Sequence, residues 1–142
     1  MDIAQQLRDE EGEVLYAYQD HLGYWTIGVG ILIDRRKGGG LRKEESDFIL
    51  RNRIKIITAA VEKALPWSKN LNDARKAVLV GMAFQMGLDG LLGFKNTLKM
   101  IEQGKYVEAG AGMLNSLWAR QAPARAKRMA KQMETGQWQR KS

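Results

Sequence analysis

The chain has 142 residues, no cysteine and a formal net charge of +7. This length is typical of one folding unit, and the lack of cysteine excludes a disulfide framework. Because His21 is the only histidine, the parts of a zinc site or of a serine or cysteine protease triad are also missing. We expect no metal and no other cofactor.

The first predicted helix starts after Asp2 and stops at Gly12. Asp2 is a good N-cap residue, Gln5 three residues later completes a capping box, and glycine is a common helix stop. Glu11 therefore lies at the helix C-terminus, where the dipole and neighbouring acids should raise the pKa of a carboxyl group. A general acid needs such a pKa near neutral pH. The alternative is a cluster of solvated surface acids.

The next segment, residues 14–30, changes to a period of two and predicts a small antiparallel sheet. Asp20 lies at a predicted turn and Thr26 on the returning strand, so a carboxylate and a hydroxyl could hold one water molecule facing Glu11. Such a pair of acids suits general acid and base catalysis on a glycosidic bond. The nearby pair Gly28 and Gly30 is a weak nucleotide motif, because no third glycine opens a helix.

Helices are predicted for most of the remaining chain. Apolar residues at steps of three and four predict one long helix over residues 41–65, which Pro66 ends. Asn72 is a predicted N-cap for a helix that is apolar around most of its circumference and therefore belongs in a core. The stretch 116–122 is predicted to be a connection, and the methionines to be core filler. Shorter helices are predicted over residues 95–103, 106–115 and 123–134.

Several segments resemble the phage-type lysozyme (endolysin) family, and they run in order from the first helix nearly to the C-terminus. The resemblance implies an α+β, mostly helical, lysozyme-like fold. A small lobe with a three-stranded antiparallel sheet (13–50) and a helical lobe (1–12 and 66–142) would be joined by a long helix (42–65) within one catalytic domain. The matching segments are Asp9–Gly30, Phe84–Gly87, Gly93–Leu98, Trp118 with Gln121, Pro123 and Arg125–Arg128, and Thr135–Trp138.

The resemblance also implies roles for individual residues. Glu11 would be the general acid, Asp20 the carboxylate that activates or positions water, and Thr26 its helper, in agreement with the local argument. The implied reaction is inverting hydrolysis of the β-1,4 bond between N-acetylmuramic acid and N-acetylglucosamine in peptidoglycan. Inversion needs carboxyl groups about 6.5–9.5 Å apart. The implied substrate-binding residues are Leu32, Phe84, Gln85, Thr97 and Arg125, the last facing the catalytic glutamate.

Ordinary core positions are the alternative for Leu32 and Phe84. The chain also departs from the family at three places. Ile31 follows Gly30 where the family commonly has histidine, and Gly112 stands where a helix that lines the cleft has asparagine. The segment after the predicted hairpin, residues 31–40, is short, which predicts a trimmed small lobe. We expect the first departure to alter stability and the second to remove one amide donor to the substrate.

The N-terminus is acidic and polar and lacks the apolar core of a signal peptide, and no later run approaches membrane-spanning length. We therefore expect a soluble monomer in the host cytoplasm, without stable membrane insertion. The resemblance implies that a holin permeabilises the membrane and releases the protein to the periplasmic cell wall. The expected partners there are the glycan strands of peptidoglycan.

Basic residues concentrate toward the C-terminus, and they keep two other functions open. One is a basic helical module that binds nucleic acid, but no helix-turn-helix, zinc-finger or aromatic RNA-platform signature is present, so we expect no nucleic-acid partner. The other is a lysozyme-like fold that binds peptidoglycan without cutting it, although such a protein would be expected to have lost an acid. The simplest explanation of the charge is a solvated helix face.

Overall fold

The structure is a computed structural model that describes residues 2–19, 22, 25–28, 31–32 and 40–141. The chain divides into two compact units, Met1–Arg51 and Asn52–Ser142. The first helix falls within the first unit, whereas we predicted from the sequence that it belongs to the helical lobe. The predicted division into lobes, with its boundaries near residues 12, 50 and 66, stays a prediction.

The first unit begins with helix α1 (Ile3–Glu11). As predicted, Asp2 caps it, with Oδ1 accepting a hydrogen bond from the Gln5 N–H at 2.8 Å. The return half of the predicted capping box, in which the Gln5 side-chain oxygen would accept from the Asp2 N–H, is not found among the described residues, and the NH₂ group of Gln5 donates to the Asp9 carboxylate at 2.9 Å. Gly12 ends the helix at φ 74°.

The sheet of the first unit has three antiparallel strands in the order β1-β2-β3, which confirms the predicted small three-stranded sheet. Thr26 on the middle strand pairs with Tyr18 on one side and with Leu32 on the other. Ile31, one of the departures from the family, pairs with Ile27. The strands are β1 (Val14–Gln19), β2 (Trp25–Gly28) and β3 (Ile31–Leu32).

The predicted long helix is confirmed as α2 (Lys43–Ala64), which runs in sequence past the end of the first unit. Val61 near its C-terminal end is fully buried. Pro66 cannot donate a backbone hydrogen bond and therefore cannot continue the helix. It opens a short 3-10 helix, Pro66–Asn70, instead.

Five further helices follow in the second unit. The predicted cap at Asn72 is confirmed, because its Oδ1 accepts a hydrogen bond from the Arg75 N–H at 2.9 Å. The prediction of a connection over residues 116–122 is wrong: Ser116 caps a short helix there by accepting from the Ala119 N–H at 3.1 Å. The helices are α3 (Asp73–Leu92), α4 (Lys95–Glu102), α5 (Tyr106–Leu114), α6 (Leu117–Gln121) and α7 (Pro123–Thr135).

The core of the second unit lies among these helices, with α3 contributing the largest share. The prediction that the long apolar helix belongs in a core is thereby confirmed, and so is core packing for Met82, Met113 and Met133, since each is at most 2% exposed. Glycine at position 87 adopts φ 82° and bends α3, a feature that the apolar pattern did not predict. The largest of the fully buried apolar side chains are Val61, Val78, Leu79, Leu91, Ile101, Met113 and Met133.

The C-terminal end of α7 is held against the start of α3. Arg75 donates from Nε to the Met133 carbonyl at 2.8 Å and from Nη2 to the Glu134 carbonyl at 3.0 Å. Its guanidinium also lies 3.6 Å from the ring centroid of Tyr106 on α5. A cation at the negative end of a helix stabilises it. One side chain thus ties α3, α5 and α7 together.

Within the described part of the chain, no single helix is both long enough and apolar enough to cross a membrane. The helices α3 and α4 are long and apolar enough only when they are taken together, and a bend of 103° separates them.

Candidate active site

Glu11, the predicted general acid, is the last residue of α1. Its side chain and the whole of Asp20 lie outside what the structure describes, so their predicted roles stay predictions. The positive φ of Gly12 allows the chain to leave the helix directly after Glu11 and to enter β1 two residues later. A residue with a Cβ would be strained at that φ. Local sequence therefore fixes Glu11 at a junction between a helix and a strand.

The acids near Glu11 in the sequence are not all unpaired. Glu13 pairs with Arg8, whose Nε lies 3.3 Å from Oε2, and both side chains are about half exposed. The raised pKa expected for Glu11 stays a prediction.

Thr26, the predicted helper, lies on the middle strand of the sheet and is 5% exposed. Pairing on both sides fixes the position of its backbone between Tyr18 and Leu32. A rigid strand holds a functional side chain more accurately than a loop does. The backbone of Leu32, a predicted substrate contact, is therefore a direct neighbour of Thr26, whereas the Leu32 side chain lies outside the described residues.

Gln85, another predicted substrate contact, lies at a pocket of 490 Å³ in the second unit, beside Phe94 and Trp118. Trp118 donates from Nε1 to Oε1 of Gln85 at 3.0 Å, and its ring meets Phe94 edge to face with centroids 6.2 Å apart. Because the Gln85 oxygen accepts from the indole, its NH₂ group remains to donate to a ligand. Trp118 belongs to a matching segment but was not predicted as a site residue.

Phe84 precedes Gln85 on α3 and is 49% exposed. The alternative of an ordinary core position is therefore wrong for Phe84. A half-exposed aromatic ring offers an apolar face on which a ligand can pack. The predicted role of Phe84 as a substrate contact stays a prediction.

Thr97 and Gly112 lie against each other where α4 and α5 approach. Thr97 is 7% exposed, and a Cβ built on Gly112 would lie 2.8 Å from its Oγ1. The asparagine of the family therefore cannot occupy position 112 unless Thr97 moves. Glycine at position 112 thus packs closely against the side chain of Thr97. The predicted contact between Thr97 and substrate stays a prediction.

Arg125, the predicted partner of the catalytic glutamate, lies near the start of α7 and is partly buried. Its Nη2 donates to the Gly81 carbonyl of α3 at 3.4 Å, a long hydrogen bond. This contact leaves the other N–H groups of the guanidinium available as donors. The predicted role of Arg125 opposite Glu11 stays a prediction. Among the described residues, no group of three or more histidine or acidic side chains could hold a metal ion.

The chain is similar to known proteins over most of its length. Residues 8–140 match the family model for phage lysozyme. The chain is 34% identical to probable T4-type lysozyme 1 of Dictyostelium discoideum over 94% of both chains. It is 28% identical to the pre-baseplate central spike protein Gp5 of Enterobacteria phage T4, over 96% of this chain and 28% of that protein. It is also 30% identical to peptidoglycan hydrolase gp36 of Pseudomonas phage phiKMV, over 80% of this chain and 12% of that protein.

The family match extends from α1, which carries Glu11, to beyond the end of α7. It therefore includes all the predicted site residues, in both compact units. The described fold, with its small antiparallel sheet and seven α-helices in the described residues, agrees with that match. The chain belongs to the phage lysozyme family and is a glycoside hydrolase.

Proposed function

We propose that the chain is an endolysin that cuts peptidoglycan at the β-1,4 bond between N-acetylmuramic acid and N-acetylglucosamine, with inversion. The observation that carries this proposal is the position of Glu11 at the end of α1, within the family match. Thr26, buried on the adjacent sheet, supports it.

In the proposed reaction, the Glu11 carboxyl gives its proton to the oxygen of the leaving sugar as the glycosidic bond breaks. A water molecule attacks the anomeric carbon from the opposite face, and Asp20 accepts its proton. The hydroxyl of Thr26 helps to hold that water. An inverting mechanism requires room for the water between the carboxyl groups, which corresponds to a separation of about 6.5–9.5 Å.

The proposed substrate contacts supply binding and orientation. The free NH₂ group of Gln85 can donate to an acetamido or hydroxyl oxygen of the substrate, and the exposed ring of Phe84 can pack against an apolar sugar face. Leu32, Thr97 and Arg125 complete the proposed set. Holding the substrate in the reactive geometry lowers the activation barrier, because the entropy of orienting the reactants is already lost when the substrate binds.

Replacement of Glu11 tests the mechanism most directly. Glu11→Gln is nearly isosteric but cannot deliver a proton, so hydrolysis should fall by about 10²- to 10⁴-fold. The measurement is the release of new reducing ends from purified Gram-negative peptidoglycan, at equal folded concentrations checked by circular dichroism. Glu13→Gln is the matched control, since it removes a neighbouring carboxylate that is paired with Arg8, and it should keep most of the activity.

Two results would contradict the proposal in different ways. Equal activity of the Glu11→Gln and Glu13→Gln proteins would exclude Glu11 as the general acid. A folded native chain that binds peptidoglycan and releases no reducing ends would favour the module that binds without catalysis.

We propose that the net charge of +7 draws the enzyme to the free carboxylates of peptidoglycan. Attraction between exposed charges is screened by salt, so the rate on peptidoglycan should fall as ionic strength rises. A soluble, uncharged oligosaccharide substrate is the control, and its rate should change little. A rate on peptidoglycan that is indifferent to salt would remove this role of the charge.

The proposed setting is lysis of a bacterial host. The chain would accumulate as a soluble monomer in the host cytoplasm and reach the periplasmic wall after a holin has permeabilised the membrane. Expression in a Gram-negative bacterium tests this setting: the culture should clear only when a membrane-permeabilising protein is produced as well. Clearing by the chain alone would exclude a requirement for a holin.

A further inference from the structure

The side chain of Trp118 on α6 is held from two directions. It is 7% exposed, and its ring meets the Phe94 ring edge to face with centroids 6.2 Å apart. Its Nε1 donates to Oε1 of Gln85 on α3 at 3.0 Å. A buried indole N–H needs an acceptor, and Gln85, 33 positions earlier in the chain, supplies it. Packing thus fixes the indole ring, and the hydrogen bond ties Gln85 to it.

This hydrogen bond also decides the orientation of the Gln85 amide. An indole N–H can only donate, so the atom that faces it has to be the amide oxygen and cannot be the NH₂ group. The oxygen and the nitrogen of an amide point in different directions, so the NH₂ group is left for another acceptor. Gln85 is exposed and lines the pocket of 490 Å³. A ligand that enters this pocket therefore meets Gln85 as a pair of N–H donors.

The surroundings of this amide make its orientation matter. Ser116 also lines the pocket, but its hydroxyl donates to the Met113 carbonyl at 2.6 Å and accepts from the Ala119 N–H at 3.1 Å, so it is already engaged. Apolar side chains supply much of the remaining wall, among them Phe94 and Leu117. A donor beside an apolar wall discriminates between ligands, because a ligand group that cannot accept leaves that donor unpaired.

We propose that Trp118 is a positioning residue that fixes the Gln85 amide as a donor, an inference that rests on the proposed contact between Gln85 and substrate. The terminal torsion of a glutamine is roughly two-fold, so a free amide can present either its oxygen or its NH₂ group. The indole removes that choice. The pocket then accepts a substrate group with a lone pair on oxygen, such as an acetamido carbonyl, and rejects a group that can only donate.

A purely structural hydrogen bond is the alternative, in which Gln85 only satisfies the buried indole. Loss of the indole N–H would then change stability and leave the use of substrate unchanged. Two substitutions separate these explanations. Trp118→Phe removes the donor and keeps an aromatic ring against Phe94. Gln85→Glu keeps an acceptor for the indole but removes both N–H donors, and it changes an exposed side chain, so the fold should survive.

The experiment measures kcat and KM for the release of reducing ends from solubilised Gram-negative peptidoglycan strands, with the full chain at folded concentrations checked by circular dichroism. Trp118→Phe should raise KM about twofold to tenfold, the usual effect of having to immobilise one further side chain on binding, and should change kcat less. Gln85→Glu should raise KM as well. Trp67→Phe is the matched control, since this partly buried indole lies outside the pocket, and its KM should be native.

The indole N–H resonance of Trp118 reports the hydrogen bond itself, and the Trp118→Phe spectrum identifies it. We expect this resonance to stay near its native position in Gln85→Glu and to shift upfield in Gln85→Ala. An unchanged resonance in Gln85→Ala would overturn the inference, because the indole would then not depend on the amide. A native KM for Gln85→Glu would overturn it too, since a carboxylate offers no donor at neutral pH.

The double variant Trp118→Phe/Gln85→Ala decides whether Trp118 acts through Gln85. Its KM should equal that of Gln85→Ala alone, because Trp118 then has no amide to orient. Single effects that multiply in the double variant, or an equal rise of KM in Trp67→Phe, would overturn the inference while the proposed function stands. A folded native chain that releases no reducing ends would overturn the proposed function and this inference with it.

Discussion

The two compact units differ in where the described apolar side chains lie. Among the side chains that the structure describes, the buried apolar ones all belong to the second unit, from Val61 to Met133. The first unit has Leu15 at 83% exposure, and Thr26 is its buried described side chain. It also contains the proposed catalytic residues. Among the described side chains, those of the second unit form an apolar core, whereas in the first unit the described contacts are helix caps and strand pairing.

A leucine-to-alanine substitution made once in each unit should give the largest difference in unfolding free energy. Leu79 is 1% exposed in the core, and a Leu→Ala change at such a site costs about 2.7–5 kcal/mol of unfolding free energy, through lost transfer energy and a residual cavity. Leu15→Ala, in the first unit, should change it by less than about 0.5 kcal/mol. Urea denaturation followed by circular dichroism measures both. Similar losses at the two positions would break the comparison.

A pair of helix caps should give a smaller difference. Asn72→Ala removes a hydrogen bond to the Arg75 N–H and a second bond from Nδ2 to the Gly136 carbonyl at 3.0 Å, so we expect a loss of about 1–2 kcal/mol. Asp2→Ala removes only the cap of α1 and should cost about 0.5–1 kcal/mol. Unfolding free energies in urea compare the two variants. A larger loss for Asp2→Ala than for Asn72→Ala would show that the first unit depends on its helix cap more strongly than the second unit does.

Two buried hydroxyl groups should give the smallest change in stability and the clearest contrast in function. Ser68 is fully buried, and its Oγ has no hydrogen-bond partner in the described structure. Ser68→Ala should therefore raise the unfolding free energy by up to about 1 kcal/mol, because an unpaired buried hydroxyl is costly, and should leave hydrolysis unchanged. Thr26→Val, which removes the buried hydroxyl of the first unit, should lower hydrolysis. Thermal unfolding and reducing-end release measure the two effects.

Ser116→Ala is the control for the serine substitution. Its hydroxyl donates to the Met113 carbonyl at 2.6 Å and caps α6, so this variant should lose about 1 kcal/mol. A stabilised Ser116→Ala protein, or a destabilised Ser68→Ala protein, would show that the hydrogen bonding of these serines has been assigned wrongly.

Local signals in the sequence predicted the elements of the fold well. Asp2 and Asn72 have short polar side chains that reach the backbone three residues later, and Gly12 tolerates a positive φ, so each boundary depends on a few neighbouring residues. The connection predicted over residues 116–122 failed for the opposite reason. The five-residue helix α6 is too short to show an apolar period, and it forms where Trp118 and Ala119 are buried by other helices.

The candidate site likewise combines residues that the sequence predicted with contacts that only the packed structure shows. The resemblance assigned Gln85 and Trp118 to separate matching segments, but their hydrogen bond joins residues 33 positions apart. The fit of Thr97 against Gly112 likewise depends on how α4 packs against α5. No period or cap in the sequence reports such contacts, because they form only after helices have packed.

By itself, the sequence determined the caps, the strand pattern, the family and the residue types that could carry acid catalysis, because each of these depends on neighbouring residues or on an ordered set of motifs. Only the tertiary structure decided that Phe84 is exposed, that Thr97 is covered and that the indole of Trp118 donates to Gln85. The physical reason is that exposure and hydrogen bonds between helices are properties of packed surfaces. They arise from contacts between residues that are distant in the chain.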